Sequence, residues 1–257
     1  MIELKDLTIG YTGKKEQTVI ASDINATINS GQLTCLLGPN GVGKSTLLKT
    51  LTAFLPKLSG QIIIDGNDID SYTEKQLARK IGVVLTERTN VQNMTIAELV
   101  SLGRSPYTGF WGRLEDEDKA IVEEAMQQAG INQLSQRFVD TLSDGERQRA
   151  MIAKALAQST PLICLDEPTS FLDFQSKVEM LRLLRQLSSK NGKTIFLSTH
   201  DVELALQMAD NLWLMEKNRT LNIGTPRQLA DNGSLNRFFD NEFISFDPTT
   251  LRLVIEP

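Results

Sequence analysis

The sequence predicts an α/β fold, in which a mainly parallel sheet is preceded by antiparallel strands and interrupted by a mostly helical insertion. Three observations carry that expectation. LTCLL, LICLD, TIFLS and NLWLM are short, nearly continuous apolar runs separated by helical patterns, as in strands covered on both faces. At the amino terminus, DINATI alternates apolar and polar residues with period two. From about Tyr72 to Gln158 the apolar spacing changes to three and four residues, the period of helices.

Taken in order, IELKDLTI, DINATI, LTCLL and QIIID read as strands, the last following the turn Leu58-Ser59-Gly60. A helix is expected from near Lys44, with Leu47, Leu48, Leu51 and Phe54 on one face and Pro56 as its stop. In the insertion, IAELVSLG and DEDKAIVEEAMQQAG are amphipathic. Asp116 and Glu117 precede the apolar Ala120, Ile121, Val122 and Ala125, and Gly130 suits a C-cap. EFISFDPTTLRLVIE reads as a hairpin turning at Asp247-Pro248. The chain is thus expected to be one domain over 1–257, with its core at about 1–85 and 160–240. The helical subdomain falls at about 86–159 and the hairpin extension at about 241–257.

Composition narrows the functional classes. Of the 257 residues, 40% are hydrophobic and 23% charged, the balance of a globular chain. A net charge of −5 lacks the basic excess of a nucleic-acid surface. No apolar run approaches the ~20 residues that cross a bilayer, and the amino terminus lacks a signal-peptide pattern. Cys35 and Cys164 each sit inside an apolar run, which favours buried strand residues over a disulfide and a reducing, cytoplasmic setting.

Four stretches carry chemistry. GPNGVGKST, residues 38–46, fits the phosphate-cradling pattern G-x-x-x-x-G-K-[ST] between a strand and a helix. Gly38, Gly41 and Gly43 let backbone N–H groups turn inward, Lys44 supplies a point charge, and the Ser45 hydroxyl suits a Mg²⁺ ion. The predicted ligand is a nucleoside triphosphate. LICLDEP ends a buried strand in Asp166 and Glu167, at the sheet edge where such folds bind ligands. Asp166 suits Mg²⁺ and Glu167 suits the attacking water. His200, the chain's one histidine, follows TIFLS at the same kind of edge. LSDGERQR, residues 142–149, opens a helix, and Ser143 with Glu146 three residues later forms a capping box that closes the first N–H groups without any ligand.

Together these stretches resemble the ATPase subunit of an ATP-binding cassette (ABC) transporter, over nearly the whole chain. The match runs in order through Tyr11, the loop at 38–46, the signature at 142–146, Asp166-Glu167, Asp173 in SFLD, and His200. The resemblance implies a P-loop NTPase core that binds ATP and Mg²⁺ and hydrolyses the ATP. Tyr11 would stack on adenine, and Gly38, Pro39, Asn40, Gly41, Val42, Gly43, Lys44, Ser45 and Thr46 would hold the phosphates. Asp166 and Ser45 would ligate Mg²⁺, Glu167 would act as base or water positioner, and His200 would contact the terminal phosphate or fix the water-positioning acid. It further implies a homodimer in which Ser143 and Gly145 of one chain close over the nucleotide of the other, with Asp173 facing the partner.

Two departures stand out. Where the family signature has Gly-Gly-Gln, this chain has Asp144-Gly145-Glu146, whose carboxylates repel an incoming phosphate. Either they turn outward, or the closed dimer forms less readily. Where the family has a metal-touching glutamine, Thr86 aligns, with Glu87 and Gln92 as nearby substitutes. The segment ELVSLGRSPYTGFWGRLEDEDKAIVEEAMQQAGI resembles the helical lobe of importers for iron-siderophores, haem and vitamin B12. Such a subunit would sit on the cytoplasmic face of the inner membrane beneath integral permease subunits, served indirectly by a substrate-binding protein, with no nucleic-acid partner. The competing expectation is a soluble ABC ATPase that drives protein assembly or repair.

Overall fold

A computed structural model of the chain describes residues 1–13, 16–86, 93–109, 112–216, 220–239 and 243–255. The contacts group into two compact units, Met1–Ser71 with Leu184–Pro257, and Tyr72–Leu183.

In the first unit, β1 (Ile2–Thr12) pairs antiparallel with β2 (Gln17–Ile28) and with β4 (Ser59–Ile64), and β5 (Asn67–Asp68) extends that sheet. Register shifts along β1 accompany its alternation, so Leu4, Leu7 and Ile9 are buried while Lys5 and Asp6 face out. A second sheet is centred on β3 (Leu33–Leu37), which pairs in parallel with β8 (Thr194–Ser198) and β9 (Asn211–Met215). All five residues of β3 and of β8 are buried, as their continuous apolar runs predict. Phe196 and Trp213 meet edge to face at 5.0 Å in this core. Antiparallel to β9 lies β10 (Leu221–Gly224), a short strand too polar at Asn222 to stand out in the sequence.

Helix α1 (Lys44–Leu51) is shorter than expected. Thr52 ends it, Ala53 turns left-handed at φ 58°, and Phe54 lies exposed outside the core. The helix therefore stops before Pro56 acts. After α7 (Val202–Met208), the helices α8 (Pro226–Asp231) and α9 (Ser234–Phe239) were not separable by pattern because each is a single turn and a half. The hairpin appears as β11 (Ile244–Asp247) against β12 (Arg252–Ile255), with Phe246 buried.

In the second unit, β6 (Ile81–Val84) and β7 (Leu162–Asp166) pair in parallel. IGVV, four residues long, is thus a strand inside the stretch whose periodicity reads as helical. The small helix α2 (Glu74–Leu77) precedes it. Then α3 (Ile96–Ser101), α4 (Asp116–Gln128) and α5 (Asp144–Ala157) pack through Leu99, Val100, Val122, Met126, Ala150 and Ala153. Arg104, 5% exposed, ties this bundle together. Its guanidinium donates to Asp118 Oδ1 at 2.8 Å, and to the Ala157 carbonyl and Ser159 Oγ, both at 2.9 Å, which satisfies a charge that burial would otherwise penalise. Helix α6 (Phe174–Ser189) follows β7 and runs across the boundary between the units.

Candidate functional site

The sequence-predicted residues fall into two groups, one in each unit. In the first, the six residues between β3 and α1 form the glycine-rich turn. Gly38 has no room for a side chain, because a Cβ would lie 2.7 Å from the Met215 carbonyl oxygen. Gly43 combines φ 119° with a Cβ position only 2.4 Å from Ile20 Cγ2. At Gly41, by contrast, φ is 78° and a Cβ would meet nothing within 4 Å, so the loop opens outward there. Pro39 and Val42 close the turn through a 3.3 Å bond from the Val42 N–H to the Pro39 carbonyl, with Asn40 exposed between them.

Lys44 is 5% exposed, and its ammonium donates to the carbonyl oxygens of Gly38 at 2.8 Å and Pro39 at 3.3 Å. A buried cation is thereby strung across the mouth of the loop. Helices α2, α3, α5 and α8 each start with a Ser or Thr capping box, whereas α1 has no capping side chain and no acid in its first turn. An uncapped helix start beside a buried ammonium fits a polyanion. Ser45 lies in the first turn of α1. The Tyr11 ring is half-exposed, and its hydroxyl shares a 2.9 Å hydrogen bond with Thr46 Oγ1, which ties the ring to the first turn of α1.

His200 follows β8. The Thr199 N–H donates to the Leu36 carbonyl at 3.0 Å, which brings the end of β8 beside the end of β3, where the loop begins. Asp201 N–H donates to Thr199 Oγ1 at 3.0 Å, and the imidazole-bearing residue is exposed between them.

In the second unit, β6 and β7 end at one edge. Asp166 is 7% exposed there, and Thr86 Oγ1 donates to its carbonyl oxygen at 2.6 Å. The short hydroxyl side chain therefore does reach the acid's backbone. Glu87 and Gln92 lie outside the described residues. Glu167 has φ 46°, so its direction is set by a left-handed turn and the simple strand alternation expected from the sequence does not apply. A non-glycine residue held this way costs about 1–3 kcal/mol and marks an over-determined position. The turn is held by Ser170, whose N–H donates to the Glu167 carbonyl and whose hydroxyl donates to Glu167 Oε2, both at 3.1 Å.

The signature turn has a definite electrostatic state. Ser143 caps α5, and Glu146 folds back on it: the Ser143 N–H and hydroxyl both donate to Glu146 Oε2 at 2.9 Å. Arg137 donates to the other oxygen at 3.2 Å, and its second nitrogen donates to the Thr141 carbonyl at 2.8 Å. The Ser143 backbone N–H, then its hydroxyl and Arg137, hold the Glu146 carboxyl below the usual range. Glu146 is therefore folded back into the capping box and has not turned outward, whereas Asp144 is exposed.

Gly145 needs neither positive φ nor space, since a Cβ would meet only Ser176 Oγ, at an ordinary 3.9 Å. That serine also binds Asp173, donating its N–H to Oδ1 at 2.9 Å and its hydroxyl to Oδ2 at 2.8 Å. The backbone bond to Ser176, followed by the hydroxyl, lowers the Asp173 pKa. Arg149 on α5 pairs with Glu179 on α6 at 3.0 Å. The signature turn and the Asp173 turn thus sit side by side through Ser176, a residue the sequence reading passed over. Its signal was an Asp three positions before a Ser at a helix start. For Ser170 and Arg137 no local pattern pointed to the role.

Comparison with known proteins gives a consistent picture. A family model described as "ABC transporter" matches residues 21–170. An ABC transporter ATP-binding protein of Methanocaldococcus jannaschii is 40% identical over 93% of this chain and 81% of its own length. The ferric enterobactin transport ATP-binding protein of Escherichia coli is 37% identical over 91% of this chain and 85% of its own. Among solved structures, an ATP-binding cassette in a dimeric post-hydrolysis state with ADP and Pi matches with a TM-score of 0.76. It is 26% identical, covering 88% of this chain and 99% of that one.

Proposed function

Since the chain belongs to the ABC transporter family and is one of its ATP-hydrolysing P-loop subunits, we propose that it drives a bacterial importer for iron-siderophore, haem or cobalamin-type cargo. A homodimer of this chain would work beneath integral permease subunits on the cytoplasmic face of the inner membrane, served indirectly by a substrate-binding protein. The relative that transports ferric enterobactin supports the cargo class. No helix among the described residues is long and apolar enough to cross a membrane, which is compatible with a peripheral subunit.

The observation that carries the dimeric reading is Gly145. It is the second residue of α5, and nothing in its own chain requires a glycine there, neither a positive φ nor a crowded Cβ position. Close approach by a group from another molecule supplies the reason. In the closed pair, Ser143, Gly145 and the start of α5 would face the γ-phosphate seated on the other copy's loop. Lys44 would exchange its loop carbonyls for phosphate oxygens, and the N–H groups of the uncapped α1 would complete the cradle. Ser45 and Asp166, with Thr86 beside them, would hold Mg²⁺, which would spread the charge on the phosphates. Tyr11 would stack on adenine, Glu167 would orient or deprotonate the attacking water, and His200 would contact the terminal phosphate.

The test uses two variants and ATP-binding and phosphate-release assays. Glu167→Gln is expected to bind ATP normally and to lose nearly all turnover, and Lys44→Ala to lose nucleotide binding. Near-normal hydrolysis by the first, or unchanged affinity in the second, removes that residue from its role. Co-expression with a multi-span permease should recruit the chain to membranes, whereas a soluble complex would favour an assembly or repair ATPase.

A further inference from the structure

The register between β1 and β2 shifts between Ile9, which faces Ala21, and Gly10, which faces Val19. Ile20 is the extra residue of that bulge, and a bulge re-aims the side chains beside it. The bulge meets the glycine-rich turn and α1 at two points. Ile20 packs on Gly43, where even a Cβ would collide with its Cγ2. Next to Gly10, Tyr11 pairs with Thr18, and its hydroxyl reaches Thr46 Oγ1 at 2.9 Å. Gly10 permits this close passage of the strands, because a Cβ there would collide with the Thr18 carbonyl. The β1–β2 hairpin is therefore fastened to the start of α1 by one apolar contact and one polar contact.

The polar contact is specific to its two partners. Among the described residues, neither hydroxyl has a second hydrogen-bond partner. Thr46 is 7% exposed, and its carbonyl accepts from Thr50 Oγ1 at 2.9 Å, so it is a fixed point. Tyr11 is 48% exposed, and a ring with that much solvent around it samples several rotamers unless something holds it. The Thr46 hydroxyl is thus turned to the ring. Its backbone N–H, in the first turn of α1, is the group left for a phosphate.

We propose that Thr46 is a positioning residue for base recognition. Its hydroxyl holds the Tyr11 ring in the orientation that stacks on adenine, so the base and phosphate subsites form one rigid unit. The inference rests on the assignment above of Tyr11 to the base and of the Lys44 loop to the phosphates, and it adds the bond that joins them. A ring fixed in advance has little freedom left to lose when the base arrives. Only a ligand that carries a base benefits, so the tether favours ATP over a bare chain of phosphates. A neutral hydrogen bond of this kind changes an equilibrium by about two- to tenfold.

The experiment measures the affinities of the full chain for ATP and for inorganic tripolyphosphate, by competition with a fluorescent ATP analogue. Mg²⁺ is left out so that ATP is not consumed. Tyr11→Phe keeps the stacking face and removes the tether, and the preference for ATP over tripolyphosphate should fall about two- to tenfold. Thr46→Val cuts the tether from the other side and should produce a similar fall, most of which Thr46→Ser should restore. The double variant Tyr11→Phe/Thr46→Val should lose no more preference than the larger single loss, because both changes remove one bond. A bond that serves only the fold would weaken both ligands together. A preference that falls by less than about twofold, or that rises because ATP must break the bond, overturns the proposal and leaves the nucleotide assignment standing. Losses that multiply in the double variant overturn it equally. If the unaltered chain binds neither ligand, or Lys44→Ala binds both as before, the nucleotide assignment and this proposal fall together.

Discussion

Replacing Gly145 by alanine separates two explanations of the signature glycine. Were the glycine there for the chain's own fold, a methyl group would strain the backbone or collide with a neighbour. The geometry predicts neither, because φ is not positive and the nearest atom to the added Cβ is Ser176 Oγ at 3.9 Å. At the second position of α5, outside the helix middle, alanine should instead leave stability unchanged or raise it by no more than about 1 kcal/mol. For a chain of this length that is a rise in Tm of at most roughly 4 °C. Phosphate release should move the opposite way. On the dimeric reading, a methyl group would stand where a nucleotide oxygen approaches backbone N–H groups and would displace it from those donors, a loss on the order of 10²-fold in kcat. Calorimetry and a coupled phosphate assay on one preparation read both quantities. A variant that is equally or more stable and nearly inactive supports the account. If activity and Tm fall together, the glycine serves the fold, and if turnover is unchanged it serves no approach by nucleotide; either result refutes the reasoning.

Further outcomes follow from the same contacts. Cys35 and Cys164 are fully buried, and burial, then the charge of Asp210, pushes the Cys35 thiol up to about 12, while burial alone raises Cys164. Neither should react with iodoacetamide in the folded protein, although both should label in denaturant; mass spectrometry reads the difference. Glu98, Asp118, Glu146 and Asp173 all have carboxyls lowered by hydrogen bonds or ion pairing. Their folded pKa values lie below the unfolded ones, so the unfolded chain binds more protons and stability rises with pH. That contribution is complete above about pH 5 and is lost as pH falls through the lowered values, so Tm should be level in this respect from pH 6 to 8 and drop in acid. Ser170→Ala should leave ATP affinity intact and lower kcat, because the Ser170 hydroxyl holds Glu167 Oε2 at 3.1 Å. A changed pH profile of kcat would distinguish a positioning role from a general loss of stability, whereas unaltered kcat would show that the bond does not matter.

Most of the β/α order was legible because buried parallel strands are written as unbroken apolar runs. LTCLL, LICLD, TIFLS and NLWLM each became a strand. Phe54 misled because its spacing fits the α1 face, whereas the left-handed Ala53 ends the helix one turn earlier. Strands such as β6 and β10 escaped notice because four residues cannot establish a period. At the candidate site, the glycine-rich turn between β3 and α1 was legible because its glycines lie close together in sequence. The Ser170 hold on Glu167, the Arg137 contact to Glu146 and the shared use of Ser176 depend on turns that place non-adjacent groups together, so no local pattern announces them. The left-handed φ of Glu167 was likewise hidden, since its sequence neighbours continue a strand ending in acids.

The central claim is that ATP on one copy's Lys44 loop is completed by the other copy's Ser143 turn, and mixing two inactive chains tests it most directly. One chain carries Lys44→Ala with an intact signature; the other carries Gly145→Asp with an intact loop. Neither alone should release phosphate from ATP, but their heterodimer contains one whole composite site, so activity should return on mixing and scale with the heterodimer fraction. A mixture that stays as silent as its components, while heterodimers are seen to form, would contradict the account.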